Sequence, residues 1–145
     1  MSNSTRVPFV ILSVVVGAIV YWAFGYAFAY GVVEDDPYNI NSFIGYRYFF
    51  TLKIPSGDLS SWFFQFVFAA TAATIVSGGI VERTKFSAYI FYSLYITGFV
   101  YPVLSHWTWS NGWLTKSPFK NVQYLDFAGA TVVHVCGLGK QYFIT

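Results

Sequence analysis

Apolar residues dominate three long stretches of the chain, and no charged residue interrupts residues 7–33, 59–81 or 86–115. Each stretch exceeds the ~20 residues that an α-helix needs to cross the ~30 Å hydrocarbon core of a bilayer. Three helices buried in the core of a soluble protein would rarely produce this pattern. The pattern therefore predicts three transmembrane helices, at about residues 9–31, 60–81 and 86–107.

A fourth apolar run extends from Phe127 to Gly139 and ends at Lys140. Its thirteen residues are too few to cross a bilayer. The run predicts a truncated fourth helix over about residues 126–139, so we expect the chain to be a fragment or a truncated isoform. Turn residues at both ends of residues 34–58 predict a loop there.

Small residues recur every four positions along the second apolar stretch. They form two series on its helical surface: Ala69, Ala73 and Ser77, and Ala70, Thr74 and Gly78. Small side chains allow transmembrane helices to approach one another closely. The second helix is therefore expected inside a helix bundle.

The composition supports a single membrane domain over residues 1–145. Hydrophobic residues make up 56% of the chain and charged residues 10%, whereas soluble domains average about 25% charged residues. A net charge of +2 gives no reason to expect a nucleic-acid partner, and one cysteine excludes a disulfide framework. No nucleophile–base pair, phosphate loop or metal motif is recognisable, so we expect neither an enzyme nor a cofactor.

The distribution of basic residues indicates how the chain lies in the membrane. Arg83 and Lys85 sit in the shortest loop, close to both flanking helices, where the positive-inside rule acts most strongly. This loop and the N-terminus are therefore expected on the cytoplasmic side, which makes residues 34–58 an extracellular loop. The sequon Asn3-Ser4-Thr5 should then stay unglycosylated.

Three ionisable residues lie within or beside the apolar segments, where such residues are candidates for function. Asp126 opens the fourth run and is either a helix N-cap or part of a site, and these roles are compatible. His134 is predicted near mid-membrane, about 12 Å along a helix from Asp126, and we favour a functional role for it. His106 precedes Trp107 at a helix end, where we favour a structural role.

Five sequence runs occur in a characteristic order, and together they strongly resemble the ammonium transporter (Amt/Rh) family, especially its plant and animal branch. The resemblance extends from the first helix to about Gly139. The runs are Phe24-Gly-Tyr-Ala-Phe-Ala-Tyr-Gly31, Phe64-Gln-Phe-Val-Phe-Ala69, Val81-Glu-Arg-Thr-Lys-Phe86, Tyr101-Pro-Val-Leu-Ser-His-Trp-Thr-Trp109 and Asp126-Phe-Ala-Gly-Ala-Thr-Val-Val-His134.

The resemblance implies roles for individual residues. Phe68 matches the phenylalanine that gates the outer end of the pore, and Trp109 matches the tryptophan that recruits ammonium by cation–π attraction. Asp126 matches the acidic residue that supports this recruitment site, and His134 matches the first of two pore histidines, where ammonium is deprotonated and ammonia passes onward. The matching runs also contain expected supporting residues: Phe64, Gln65, Tyr101 and His106.

The resemblance also implies that the chain is an all-α integral membrane protein, part of an eleven-helix fold that assembles as trimers. The chain would begin at the family's second helix and stop inside the fifth. Its last residues, from Leu138 to Thr145, depart from the family pattern. The expected substrate is ammonium or ammonia, with methylammonium as an analogue, and the expected location is the plasma membrane.

Two other functions are compatible with the sequence pattern. The chain could be a non-transporting truncated subunit that associates with full-length transporters. A membrane oxidoreductase with haem held by His106 and His134 is disfavoured, because these residues are predicted at opposite ends of adjacent helices. Transport of ammonium is therefore the principal hypothesis.

Overall fold

The computed structural model describes residues 3–32, 41–80, 85–110, 112–115 and 124–138. Within these residues the chain is helical, with no strand. Three of its helices are long and apolar enough to cross a membrane, which confirms the predicted all-α membrane fold with three spans. The structure gives these spans as Val10–Tyr30, Ser56–Gly78 and Phe86–Trp109.

The first and third spans each consist of two α-helices joined by a π-helical turn. In the first span, α1 (Asn3–Val20) and α2 (Tyr26–Tyr30) flank the π-turn Tyr21–Gly25. In the third span, α4 (Phe86–Tyr95) and α5 (Tyr101–Trp109) flank the π-turn Ile96–Val100. The two π-turns contact one another.

The second span contains an uninterrupted helix, α3 (Leu59–Ile80). It packs against both other spans and against a short π-helix, Ala130–Val135, which continues as α-helix to residue 138. Of the two small-residue series, the first faces the bundle, where Ala69, Ala73 and Ser77 are buried. Most of the second series is partly buried, and its Gly78 is exposed.

The core of the bundle combines these small residues of α3 with tyrosines from the neighbouring spans. Alanine at the helix surface leaves room for the large rings of the first and third spans. The buried cluster consists of Tyr21, Tyr26, Ala69, Ala72, Ala73, Ile96, Tyr101, Val132 and Val133.

A strap, which we define as residues 41–47, crosses one end of the bundle. The backbone N–H of Gly45 donates to Phe28 O (2.8 Å), and the N–H groups of Tyr46 and Arg47 donate to Gly31 O (2.9 and 3.1 Å). The strap thus supplies donors to carbonyls at the end of the first span that have no partner within the helix.

Several expectations concern residues outside the described part of the chain. They include most of the loop that contains Arg83, residues 34–40 of the predicted loop 34–58, and the divergent end after Leu138. The fourth helix was predicted from about residue 126. In the structure its helical backbone begins at Ala130, because Asp126 caps it from the preceding turn.

The two π-turns bring the first and third spans into close contact at Gly25. A Cβ atom there would lie 2.8 Å from Thr97 O and would also meet the Tyr21 ring. We therefore expect Gly25→Ala to destabilise the bundle by about 1–3 kcal/mol through overpacking. Thermal unfolding in detergent micelles measures this effect.

The matched control is Gly78→Ala, because a Cβ atom at Gly78 meets nothing within 4 Å. Alanine in a helix is about 0.5–1 kcal/mol more favourable than glycine, so this control should leave stability equal or slightly higher. Equal unfolding temperatures for the two variants would contradict the close packing at Gly25.

Candidate functional site

Aromatic side chains from two spans and the segment before the fourth helix line an open cavity of about 210 Å³ at one end of the bundle. Phe64 and Phe68 lie one turn apart on α3, and their ring centroids are 5.0 Å apart. Trp109, the last residue of α5, packs on Phe68 with a centroid distance of 5.9 Å and an interplanar angle of 67°. Phe127 adds a fourth aromatic ring.

A hydrogen bond fixes the orientation of the Trp109 ring. Its indole N–H donates to the main-chain oxygen of Asp126 at 2.6 Å. The ring therefore cannot turn away from the cavity without losing this bond. Asp126 thus positions the tryptophan through its backbone carbonyl, while its side chain acts elsewhere.

The Asp126 carboxylate caps the start of the fourth helix. Its Oδ1 atom accepts from the backbone N–H groups of Gly129 (2.9 Å) and Ala130 (2.8 Å). Its Oδ2 atom accepts from those of Thr131 and Val132, both at 2.9 Å. A helix start leaves such donors unpaired and favours a negative charge. The carboxylate is buried and fully engaged, so it stabilises the site's framework rather than contacting the cavity.

Gly129 allows the chain to form the Asp126 cap and to pack closely against Trp109. Its φ of 83° lies in the left-handed region, which glycine adopts without steric cost. A Cβ atom at this position would also lie 2.9 Å from Val133 Cγ2 and 3.3 Å from the Trp109 ring. A glycine is therefore required where the chain turns from Asp126 into the helix.

Gln65 joins the cavity to the buried core. It lines the cavity beside Phe64 and Phe68, and its Oε1 atom accepts a hydrogen bond of 3.2 Å from the Tyr101 hydroxyl. Tyr101 itself is fully buried. The structure therefore brings together Phe64, Gln65, Phe68 and Trp109, and places Asp126 and Tyr101 directly behind them.

His134 does not join this cavity. It lies on the π-helix Ala130–Val135, where Val132 and Val133 face the core and His134 is exposed. The helical backbone begins at Ala130, after the turn that Asp126 caps. Asp126 and His134 therefore do not lie on one straight helix. An aqueous or protein-lined path at His134 would require further chain packed on this face.

His106 occupies a structural position behind the site. It is completely buried, and its Nδ1 and Nε2 atoms lie 2.9 Å from Ala29 O and 2.8 Å from Asn41 O. A neutral imidazole can donate to one carbonyl, whereas the protonated ring donates to both. Because both nitrogens are engaged with backbone oxygen atoms, neither is available to an iron atom, which argues against the haem alternative.

Sequence reasoning missed two residues of the cavity wall, Phe127 and Ala128. Both were expected inside a helix, where their side chains would point in different directions. They instead lie in the turn that Asp126 caps, and they line the same cavity as Trp109. The only available signal was the acidic residue directly before them, since a capping residue precedes the first helical turn.

The aromatic cavity can accept a small cation and remove part of its water. Electron-rich ring faces attract cations, by up to about 2 kcal/mol when the cation is desolvated. Its lining contains no titratable side chain and no nucleophile, so it favours binding over covalent chemistry. The fold defines a multi-pass α-helical membrane protein, with an aromatic cavity at one end of its bundle.

The chain belongs to the ammonium transporter family. The sequence model of the family described as Ammonium Transporter Family matches residues 3–138 of the chain. The chain is 47% identical over 121 residues to putative ammonium transporter 1 of Caenorhabditis elegans, covering 81% of this chain and 22% of the relative. It is 46% identical over 137 residues to ammonium transporter 1 member 1 of Arabidopsis thaliana, covering 88% of this chain and 26% of the relative.

A solved structure supports the same assignment. The protein described as a Sensor Amt Protein superposes with a TM-score of 0.74 at 35% identity, covering 88% of this chain and 31% of that protein. The chain therefore spans about a quarter of the curated relatives that it matches. These relatives are named as transporters rather than enzymes, in agreement with the sequence analysis.

Proposed function

We propose that this chain takes part in the transport of ammonium across a membrane, with the aromatic cavity as its recruitment site. The observation that carries the proposal is the cavity formed by Phe64, Phe68, Trp109 and Phe127. Membership of the family and the indole bond that orients Trp109 support it. Methylammonium, which has a similar charged head, should compete for the same site.

The proposed mechanism begins with partial dehydration of the cation. Trp109 and the phenylalanines replace some water contacts by cation–π attraction. Phe68, which packs on Trp109, then lies where it can gate the step into the bundle. Asp126 contributes by holding the helix start and its own main-chain oxygen in place.

His134 belongs to a later step in this proposal. A neutral imidazole can accept or relay a proton near physiological pH. Ammonium that loses its proton there would continue as ammonia through an apolar path. Because His134 is exposed in this structure, such a path requires additional helices beside it.

The exposed face around His134 suggests where those helices would pack. Phe127 is 93% exposed, Val135 59% and Leu138 48%. These helices could come from a longer chain, from further copies in a homotrimer, or from full-length subunits. Location in the plasma membrane is part of the same proposal.

The same exposed face favours one alternative function. A chain that offers an unpaired apolar surface beside His134 could associate with full-length transporters without itself transporting. Its binding would then change the activity of the partner. Co-expression with a full-length transporter, followed by co-purification and uptake measurements, distinguishes this function from transport by the chain alone.

Uptake of labelled methylammonium, in cells that lack their own ammonium transporters, tests the principal proposal. Cells expressing the chain should take up the label, and Trp109→Leu should reduce uptake about tenfold or more because the cation–π contact is lost. Trp113→Leu is the matched control, since exposed Trp113 does not line the cavity. Both variants must reach the membrane in equal amounts.

If Trp109→Leu and Trp113→Leu reduced uptake equally, a specific role for Trp109 would be contradicted. A chain that reaches the membrane and gives no uptake would contradict transport by the chain alone. If that chain also changes the uptake of a co-expressed full-length transporter, the alternative function is supported.

A further inference from the structure

A second cavity, of about 360 Å³, lies beside the aromatic cavity and shares Trp109 with it. Tyr26, Asp58 and Ser61 contribute polar groups to its wall, and Tyr30 contributes a further ring. Trp109 therefore lines both a polar cavity that contains a carboxylate and an apolar cavity that contains none. Neither the sequence pattern nor the family resemblance singled out Asp58.

The Asp58 carboxylate is unengaged within the described part of the chain. It ends the 3₁₀ turn Ser56–Asp58 directly before α3, and its side chain is exposed. No hydrogen bond or ion pair joins the carboxylate to another described residue, although the Tyr26 side chain interacts with it electrostatically. The carboxylate is thus available to a solute in the cavity.

The Asp126 carboxylate, in contrast, is not available to a solute in the cavity. Its two oxygen atoms already accept four backbone N–H bonds. Because both of its oxygen atoms already accept hydrogen bonds, this carboxylate has little capacity left to bind a cation. Among the described acidic residues, Asp58 is therefore the one whose charge faces a cavity next to Trp109.

We infer that the polar cavity is a binding site for a hydrated monovalent ammonium-type cation, with Asp58 as the carboxylate that recruits it. This inference rests on the proposed function and adds a step before the aromatic cavity. The cation would first keep much of its water beside Asp58. It would then pass to the other side of Trp109, where rings replace that water.

The sizes of the two cavities fit this order. A water molecule occupies about 30 Å³ in the liquid, so the polar cavity of about 360 Å³ has room for an ammonium ion with several waters. The apolar cavity of about 210 Å³ has fewer polar groups to hold them. Loss of water is thereby divided between two neighbouring sites.

Asp58 could instead act only on the fold, because a carboxylate at a helix start interacts favourably with the helix dipole. The two roles differ in what they change. A structural role alters stability and leaves ligand binding intact. A recruiting role alters ammonium affinity, and its effect weakens as salt screens the attraction over about 30 Å at 0.01 M and about 8 Å at 0.15 M.

The test is an ammonium chloride titration of the full 145-residue chain in zwitterionic nanodiscs, monitored by the NMR resonance of the Trp109 indole N–H. The resonance is assigned by its loss in Trp109→Phe. We expect a saturable shift that sodium chloride does not produce. Asp58→Asn should raise the half-saturating ammonium concentration about fivefold at low salt, and Asp58→Glu should restore most of the affinity.

A second variant tests the cavity itself. Ser61→Leu places an apolar side chain in the polar cavity at an exposed position, so it should fold and should weaken ammonium binding. Unfolding temperatures of all variants are measured in parallel. Affinity that is unchanged in both Asp58→Asn and Ser61→Leu would overturn the inference, as would a loss that is equal at low and high salt.

These results are separable from those of the uptake experiment. Ammonium binding that depends on Asp58, in a chain without uptake, would support this inference and contradict transport by the chain. A Trp109 shift that is independent of Asp58, in a chain with uptake, would support the proposed function and overturn the inference.

Discussion

Asp126→Asn is expected to lower the free energy of unfolding by about 2–4 kcal/mol and to release the start of the fourth helix. The amide NH₂ group of asparagine replaces one acceptor oxygen, so two of the four backbone N–H groups lose their partner. Each buried donor left unsatisfied costs about 1–3 kcal/mol. Thermal unfolding and amide hydrogen exchange at residues 129–132 measure the effect.

Asp58→Asn is the matched control for this experiment. It removes the same charge from a carboxylate that accepts no hydrogen bond from the described residues, so exchange at residues 129–132 should not change. The Trp109 indole should also become more mobile only in Asp126→Asn, because its acceptor is the main-chain oxygen of that residue. Equal exchange rates in wild type and Asp126→Asn would show that the cap contributes little.

His106→Leu is expected to detach the strap from the end of the first span and to lower the free energy of unfolding by about 1–3 kcal/mol. A neutral imidazole donates one N–H, to Ala29 O or to Asn41 O, and leucine leaves that oxygen atom without its donor. An unsatisfied buried acceptor costs about 1–3 kcal/mol, as an unsatisfied donor does. Hydrogen exchange of the Gly45, Tyr46 and Arg47 amides measures detachment, since all three bond to the first span.

Trp107→Phe provides the comparison for His106→Leu. It removes one donor to the strap, the indole N–H that bonds Phe43 O at 2.9 Å, at a more exposed position. Water can replace this bond, so the expected loss is below about 1 kcal/mol. If Trp107→Phe exposed the strap amides as strongly as His106→Leu, the buried histidine would not be the main attachment.

The sequence predicted the three spans because each is defined by an uninterrupted run of apolar residues, a property of single segments. It also predicted a capping role for Asp126 as one of two alternatives, since an acidic residue before an apolar run is a local signal. The extent of the cap was not predictable. Four bonds to one carboxylate depend on the left-handed backbone of Gly129, which the neighbouring residues do not specify.

The aromatic cavity was predicted only through resemblance to a family. Phe68 and Trp109 lie on different spans, and their contact depends on how each helix is rotated. π-Turns change that rotation within a span, and they have no reliable signature in the sequence. For the same reason Tyr26 and Asp58, which belong to different segments, were not recognised as parts of one cavity.

The π-turn Tyr21–Gly25 has a consequence for length variation among related chains. A π-turn holds one residue more than an α-helical turn, so deleting one residue here would restore regular helix with little rotation of what lies beyond it. Tyr26, Ala27 and Ala29, now buried, would then keep their direction toward the bundle. Single-residue deletions should therefore be tolerated better in this stretch than in the regular helix α3, where each one rotates the following residues by about 100°.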